Sequence, residues 1–234
     1  MTENTNSNLR FAVLATDVLL FTVRNGELLV RLIEVNRPPH FVNKSGLPGG
    51  LIKPTETAWE AAERCLGDKG KITTDRVYLE QLFTFDAVDR DPRGRVVSVA
   101  YLGCVAWEYL SDQEKDSGQD SSWQSVKLCR GLAYDHDEIV AVGLQRLKSK
   151  IKYTTLLSKL LPEEFTLTEL KDLYEIILDE KIDKRNFRKK INQLGVLSPL
   201  GKKNHGKKSR PAELYSFVDH VVVDLNDSGV KSVV

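Results

Sequence analysis

The chain has 234 residues, of which 41% are hydrophobic, and its 34 basic and 33 acidic side chains give a formal net charge of +1 at pH 7. This composition is ordinary for a globular protein, and the length allows one large domain or a domain of about 150 residues plus a small one. Membrane-spanning proteins are excluded, because no apolar run approaches the ~18 residues that a spanning helix requires, and FAVLATDVLLF is interrupted by Asp17.

The first residues and the cysteines both favour a cytoplasmic protein. MTENTNSN is polar and lacks the basic-then-apolar arrangement of a secretory signal. Cys65, Cys104 and Cys129 are odd in number, far apart and in no metal-ligand spacing, which indicates reduced thiols. We therefore expect a cytoplasmic location, no cofactor and no membrane partner.

Residues 9–152 show the pattern of a mixed α+β domain. Asn25-Gly26 lies between two apolar runs, and Asn-Gly in that position is typical of a β-hairpin turn. The elements predicted after the hairpin are a Pro- and Gly-rich loop at 38–50, a helix at 57–68, two strands flanking a turn at 89–94, a polar loop at 111–125 and a helix at 135–150.

GLPGGLIKPTETAWEAAERCLGDKGKI, residues 46–72, contains a glycine-rich turn followed by a helix. Such a turn lets backbone approach a ligand, and a helix can present carboxylates for Mg²⁺ on one face at i, i+3 and i+4. The stretch resembles the Nudix box, the metal-binding motif of diphosphate hydrolases. The positions that fit the spacing of the box are Gly50, Glu56, Arg64, Leu66 and Ile72.

The same stretch departs from the Nudix box where that family binds its metal. The three metal-binding glutamates fall on Cys65, Asp68 and Lys69, and the closing glycine falls on Lys71. We expect the Lys69 ammonium to occupy the face where Mg²⁺ would sit and to pair with Asp68, so that no metal binds and hydrolysis is absent or very slow. Two alternatives remain, a merely amphipathic helix and a rearranged metal site. The amphipathic helix would pack through Ala58, Ala61, Ala62 and Leu66. The rearranged metal site would use Glu56, Glu60, Glu63 and Asp68.

Three further stretches make the resemblance more specific. Within residues 78–103 these are Glu-Gln-Leu-x-Thr-Phe, Arg-Asp-Pro-Arg-Gly-Arg and Val-Ser-x-Ala-Tyr, and Leu-Ala-Tyr-Asp-His follows at 132–136. They resemble ADP-ribose-directed Nudix proteins, and especially the NrtR family of Nudix-related bacterial transcriptional regulators. The resemblance implies a Nudix-like α/β/α domain with a mixed sheet, which senses ADP-ribose or a related nucleotide.

Arginines and aromatic residues near these motifs are the candidate ligand contacts, because guanidinium groups pair with diphosphates and aromatic rings stack on bases. The predicted ligand-binding residues are Arg37, Phe41, Gly49, Gly50, Phe85, Arg90, Arg93, Arg95 and His136. Alternatives stay open for several of them: Phe85 could belong to the core, the arginines could pair with Asp89 or Asp91, and His136 could cap or pack a helix.

Residues 153–225 predict a second, mainly helical domain that ends in a hairpin. Thr-x-x-Glu at 166–169 is a capping box that begins one helix, and Asp183 caps a second helix that ends at Gly195. A β-hairpin is predicted within 196–218. Helix, turn, helix and hairpin is the order of a winged helix-turn-helix domain.

The second of these helices has two different faces. Phe187, Ile191 and Leu194 share the apolar face, which leaves basic and amide groups for a DNA major groove. Residues 184–210 contain ten basic and no acidic side chains. The alternative is a merely solvated basic face. The predicted DNA-binding residues are Lys184, Arg185, Arg188, Lys189, Asn192, Lys202, Lys203, His205, Lys207, Lys208 and Arg210.

The resemblance to the NrtR family extends over residues 9–218. It implies a homodimeric repressor of NAD-metabolism genes that binds double-stranded operator DNA and is released by ADP-ribose or a relative. Two other functions remain open, an active Mg²⁺-dependent ADP-ribose pyrophosphatase and a regulator that senses a sugar or sugar phosphate.

Overall fold

A computed structural model of the chain describes residues 12–116, 118, 120–204, 211–219 and 221–225. It confirms the predicted α+β class, with a Nudix domain built on a mixed sheet followed by a winged-helix domain. The strands of the first domain are β1 (Val13–Arg24), β2 (Glu27–Arg37), β3 (Phe41–Gly46), β4 (Gly49–Leu51), β5 (Tyr78–Phe85), β6 (Val96–Cys104) and β7 (Ser121–Ser125). Its helices are α1 (Ala58–Asp68), α2 (Asp112–Lys115) and α3 (His136–Lys150).

Strand β1 organises the sheet, because it pairs with three other strands. The main order is β3-β2-β1-β6-β5, with β4 added on β1 and β7 added on β2, and only β1 and β6 run parallel among the described pairs. The predicted hairpin turn between β1 and β2 is confirmed. Asn25 and Gly26 both have positive φ, 51° and 80°, as a two-residue type I′ turn requires.

Helices cover both faces of the sheet, and successive β1 side chains point into the two layers. Val18 and Leu20 pack on the side of α1, whereas Leu19 and Phe21 pack on the side of α3. Helix α3 passes so close to the sheet that a Cβ on Gly143 would lie 2.1 Å from Leu19 Cδ2. This two-sided packing places the C-terminal end of α1 and the N-terminal end of α3 at the same edge of the sheet.

Two segments predicted as loops contain strands, so those two predictions are wrong. Residues 38–50 include β3 and the start of β4, and residues 111–125 include α2 and β7. Strands β3 and β7 are short, mostly polar and pair with β2 through backbone hydrogen bonds. A strand held by its backbone at a sheet margin need not show apolar alternation, which explains why the sequence pattern missed them.

The described residues of the second domain form a three-stranded sheet and two α-helices. Its elements are β8 (Phe165–Thr166), α4 (Leu167–Leu178), α5 (Lys184–Leu194), β9 (Leu197–Asn204) and β10 (Ala212–Phe217), with the strand order β8-β10-β9. The predicted capping box is present, since Thr166 Oγ1 accepts from the Glu169 amide and Glu169 accepts from the Thr166 amide. Asp179 ends α4 in a left-handed conformation, which turns the chain towards α5.

The two domains meet through a continuous apolar cluster that includes Leu147 and Ile151 from the end of α3. Tyr174 of α4 donates its hydroxyl to the Ile151 carbonyl at 3.1 Å. Residues 223–225 return to hydrogen-bond the connecting residues 153–155. The C-terminal end of α3 is therefore joined to the first helix of the winged domain. No helix in the described ranges is long and apolar enough to cross a membrane.

Candidate ligand cleft and nucleic-acid interface

A cleft of about 440 Å³ opens at the sheet edge where α1 ends and α3 begins. Strands β2 and β4 and the turn at 89–94 complete its walls. Of the nine predicted ligand residues, six line the cleft: Arg37, Gly49, Gly50, Arg90, Arg93 and His136. The lining also includes residues that were not predicted as contacts, among them Asp17, Lys69, Lys71 and Tyr134.

The floor of the cleft is a buried network centred on Asp17 of β1. Its carboxylate lies 3.1 Å from Arg90 Nη2 and 3.3 Å from His136 Nε2, and it accepts a 2.7 Å hydrogen bond from Ser98 Oγ. Burial alone would raise the pKa of Asp17, but His136, the hydrogen bond from Ser98 and the Arg90 charge hold that pKa well below its usual value. Asp17 is therefore an ionised structural group, and its lone pairs are already engaged by the protein.

Gly49 allows β4 to pass directly over this network. A Cβ at that position would lie 2.0 Å from Asp17 Oδ1 and 2.7 Å from the Thr16 carbonyl oxygen, so any other residue would displace β4. His136 holds the same region from the opposite side, because its Nδ1 accepts a 2.9 Å hydrogen bond from the Leu47 amide. The predicted alternative of a packing role for His136 is consistent with this position, and the ring is only 2% exposed.

The three arginines of the 90–95 segment have different surroundings. Arg90 is buried and forms a two-pronged contact with Asp135, at 2.7 and 2.6 Å, in addition to Asp17. Arg93 pairs with Asp91 at 2.7 Å, yet its side chain is 46% exposed and lies over the Tyr134 ring. Arg95 donates to the carbonyl oxygens of residues 86 and 87 and does not line the cleft. Arg93 is thus the one of these three that lines the cleft with an exposed side chain.

The predicted aromatic contacts lie outside the cleft lining. Phe85 is 4% exposed and belongs to the core, where its ring meets Phe83 edge to face at 5.5 Å. Phe41 packs against Tyr134 with ring centroids 4.4 Å apart, so it supports the cleft wall from behind. Tyr134 has a positive φ of 56° and faces the cleft itself. The Leu-Ala-Tyr-Asp-His motif contained this residue, but its pattern alone did not indicate which side chain would face a ligand.

The altered box positions have partners within the protein. Cys65 is fully buried, and Lys69 donates from Nζ to the Gly49 carbonyl, so the expected ion pair with Asp68 is wrong. Glu56 is held by Arg64 at 2.9 Å, which lowers the pKa of Glu56 to about 2, and Glu60 accepts from the Thr57 amide at the start of α1. Within the described ranges, no three His, Cys, Asp or Glu side chains come close enough to hold a metal. The rearranged metal site therefore has no geometric support.

Helix α5 presents the two faces that its sequence predicts. Phe187, Ile191 and Leu194 are buried, and the Asp183 carboxylate caps the helix by accepting from the Asn186 amide at 2.8 Å. The residues exposed on the other side are Lys184, Arg185, Arg188, Lys189 and Asn192. No ion pair joins these cations to an acidic side chain in the part of the chain that the structure describes. The arrangement is suited to phosphates and base edges.

The hairpin after α5 adds two more exposed lysines, with different partners. Lys202 of β9 pairs with Glu164 at 2.6 Å, whereas Lys203 extends from the strand without an acidic partner among the described residues. His205, Lys207, Lys208 and Arg210, which were also predicted to contact DNA, lie outside the described residues.

Comparisons with known families agree with this two-domain arrangement. The NUDIX domain family matches residues 13–142, and the family described as the NrtR DNA-binding winged helix domain matches residues 157–217. An ADPR-responsive transcriptional repressor, NtrR, from Acinetobacter baylyi is 35% identical over 213 residues, which cover 88% of this chain and 82% of that protein.

Two solved structures from Shewanella oneidensis are similar as well. NrtR in complex with a 27mer DNA matches with a TM-score of 0.77 and 30% identity, covering 94% of this chain and 96% of that one. The NUDIX domain of NrtR in complex with ADP-ribose matches with a TM-score of 0.52 and 29% identity, covering 63% of this chain and 99% of that one. Together with the cleft and the basic helix described above, these matches show that the chain belongs to the NrtR family of Nudix-related transcriptional regulators.

Proposed function

We propose that this chain is a transcriptional repressor whose winged helix binds operator DNA and whose Nudix-like cleft binds ADP-ribose or a close relative. The observation that carries the proposal is the exposed cationic face of α5, which lacks acidic partners among the described residues and belongs to a domain joined to an arginine-lined cleft. The names of the Acinetobacter and Shewanella relatives support both ligands. We propose that the sensing domain spans residues 9–152 and that the DNA-binding domain spans residues 153–225.

Helix α3 offers a direct physical connection between the two sites. Its first residue, His136, belongs to the cleft floor, and its C-cap residue, Ile151, accepts a hydrogen bond from Tyr174 of the winged domain. Fifteen helical residues extend about 22 Å, so a shift at one end is transmitted to the other as a rigid movement. ADP-ribose would lower DNA affinity to the extent that it binds more tightly to the arrangement in which the recognition helices are misplaced.

The repressor would act as a homodimer in the cytoplasm, where two α5 helices related by two-fold symmetry read the two halves of a roughly palindromic operator. Light scattering on the free chain and on its DNA complex tests this stoichiometry. Two chains per operator duplex are expected, and a single chain per duplex would contradict the dimer.

Hydrolysis of ADP-ribose is expected to be absent, because Cys65 is buried and Lys69 places an ammonium at the cleft where the family has carboxylates. Replacing Lys69 alone by glutamate should not create activity, since Cys65 still provides no carboxylate. A product-release assay with Mg²⁺ tests both proteins, and turnover near ~1 s⁻¹ by the unaltered chain would instead make it a typical enzyme.

The decisive experiment measures binding of the full chain to short duplexes from the upstream regions of NAD-metabolism genes in its own genome. Fluorescence anisotropy at several salt concentrations should give specific binding, and neutralising about six phosphates predicts a log–log salt slope of about −5. Adding ADP-ribose should weaken the complex. Failure to bind any duplex in dilute buffer would refute the DNA-binding role, whereas binding that ADP-ribose leaves unchanged would refute the effector.

A further inference from the structure

We propose that the Lys69 ammonium takes the place of a divalent cation, so that the cleft binds a diphosphate ligand without any metal ion. This inference rests on the proposed function, because it assumes that the ligand of the cleft contains a diphosphate. It adds a property that the family resemblance does not provide, namely which group of this chain meets the phosphate charge.

The position of Lys69 carries the proposal. Lys69 caps the C-terminal end of α1, lines the cleft and donates from Nζ to the Gly49 carbonyl of β4. A Cβ built on Gly50 would lie 3.3 Å from Lys69 Nζ and 3.2 Å from Cys65 Sγ, so both side chains lie against the same piece of backbone. An ammonium has three N–H donors, and the Gly49 carbonyl uses one. Two donors remain for phosphate oxygens.

The neighbouring groups favour an anion at this place over Mg²⁺. Cys65, at the first of the three altered positions, is a buried thiol, and burial raises its pKa, so it provides no hard anionic oxygen. Asp17 is engaged by Arg90, Ser98 and His136. Asp68 is exposed and carries the one carboxylate of the three altered positions, while the Lys69 charge repels a cation. The same positive charge attracts a phosphate oxygen.

The cleft lining has no net formal charge, which makes the position of each unpaired cation, and of Lys69 in particular, important for binding an anion. It contains five cationic side chains, Arg37, Lys69, Lys71, Arg90 and Arg93, and five carboxylates, Asp17, Glu34, Asp68, Asp91 and Asp120. Two of the cations are already paired, Arg90 with Asp17 and Arg93 with Asp91. Three cations and three carboxylates then remain, and Lys69 is the cation anchored to the cleft backbone at Gly49. Lys71 is exposed, and its Nζ donates to the Asp68 carbonyl at 2.6 Å.

The first test compares binding of ADP-ribose to the unaltered full chain in EDTA and in excess Mg²⁺ by isothermal titration calorimetry. The proposal expects dissociation constants that agree within about twofold, well below the tenfold that 1.4 kcal/mol of metal-dependent binding would produce. Binding that requires Mg²⁺ would overturn the metal-free site while leaving the proposed function intact. Absence of binding in both buffers would instead remove ADP-ribose as the effector, and the inference with it.

The second test changes the charge at position 69 and compares the same two buffers. Lys69→Met should weaken ADP-ribose binding by roughly 10- to 100-fold, the usual effect of losing a hydrogen bond to a charged group. Lys69→Glu should bind more weakly still in EDTA and should recover part of its affinity in Mg²⁺. Lys53→Met is the matched control, because Lys53 is exposed on the same domain and does not line the cleft. That variant should bind like the unaltered chain.

These outcomes separate a ligand-binding lysine from a merely structural one. If Lys69 only tied α1 to β4, both variants would lose affinity together and neither would respond to Mg²⁺, which would overturn the proposal. Unchanged affinity in Lys69→Met would overturn it as well. Circular dichroism and thermal melting of each variant establish that the fold is retained, and the buffer comparison on the unaltered chain needs no variant at all.

Discussion

The cleft floor and the exposed face of α5 both contain arginines, but only the cleft floor pairs its arginine with carboxylates. In the cleft, Arg90 is buried and satisfied by Asp17 and Asp135. On α5, Arg185 and Arg188 are exposed, and no acidic side chain of the described chain pairs with them. The same residue type therefore stabilises the fold in one place and is exposed to solvent in the other.

This difference gives a physical criterion for separating structural arginines from binding arginines. A buried charge must be compensated inside the protein, because removing its partner leaves a desolvated ion. An exposed charge costs little to leave unpaired, since water solvates it. Changes in the cleft floor should consequently act on stability, and changes on α5 should act on DNA affinity alone.

The largest expected effect follows from removing the charge at the centre of the cleft floor. Asp17→Asn keeps the size of the side chain but leaves Arg90 with one carboxylate partner and His136 with none from β1. We expect the free energy of unfolding to fall by about 3 kcal/mol, the usual effect of breaking a buried pair. Urea denaturation followed by tryptophan fluorescence measures the change.

The pH dependence of the stability loss in Asp17→Asn provides an internal check. The folded pKa of Asp17 is depressed, so its contribution to stability is fully present above the unfolded value near ~3.9 and is lost as pH falls below it. The difference in the free energy of unfolding between the unaltered chain and Asp17→Asn should be constant at neutral pH and should decrease below about pH 4. Lys127→Ala, which removes the exposed pair with Asp179, should leave the unfolding midpoint nearly unchanged. An equal loss from both changes would contradict the distinction between the two kinds of charge.

On the exposed face of α5, Arg188→Ala or Lys189→Ala should weaken DNA binding and leave ADP-ribose binding intact. We expect a loss of about 1–3 kcal/mol for a base contact, or a salt slope smaller by about one for a phosphate contact. Lys181→Ala is the matched control, because Lys181 lies just before α5 and pairs with Glu175. Its effect should stay within about twofold. Anisotropy titrations decide the matter, and unchanged affinity in both α5 variants would show that another surface contacts DNA.

How far the fold could be predicted from sequence depends on how local each determinant is. The Asn25-Gly26 turn, the Thr166 capping box and the two faces of α5 are encoded within a few residues, and the structure has all three. Strands β3 and β7 depend instead on pairing with β2, which no local pattern records. Arg31 of β2 illustrates the same limit: it is 1% exposed, and its guanidinium binds the carbonyls of Gly70 and Asp116 and the Ser121 hydroxyl.

The sequence predicted only part of the candidate site, because many of its contacts join residues that are far apart in the chain. Arginines near a glycine-rich turn indicate an anion cleft, but their side chains choose partners across long stretches of sequence. Lys69 illustrates this point, since its ammonium binds a carbonyl twenty residues away instead of its neighbour Asp68. Phe83 and Phe85 share strand parity, yet one is 57% and the other 4% exposed, and β5 lies at the sheet margin.

The smallest expected effect concerns Lys71, which stands where the box of the family has glycine. Its backbone keeps the left-handed conformation, with φ at 56°, that a side chain disfavours by roughly 1–2 kcal/mol. Lys71→Gly should raise the free energy of unfolding by about 0.5 kcal/mol, since the greater freedom of glycine in the unfolded chain offsets part of the relief. Asn25→Gly, at another left-handed position, should gain less, because asparagine tolerates this region. Urea midpoints at constant m value measure both changes. A lower midpoint for Lys71→Gly would show that the lysine side chain stabilises this turn by more than its backbone conformation costs.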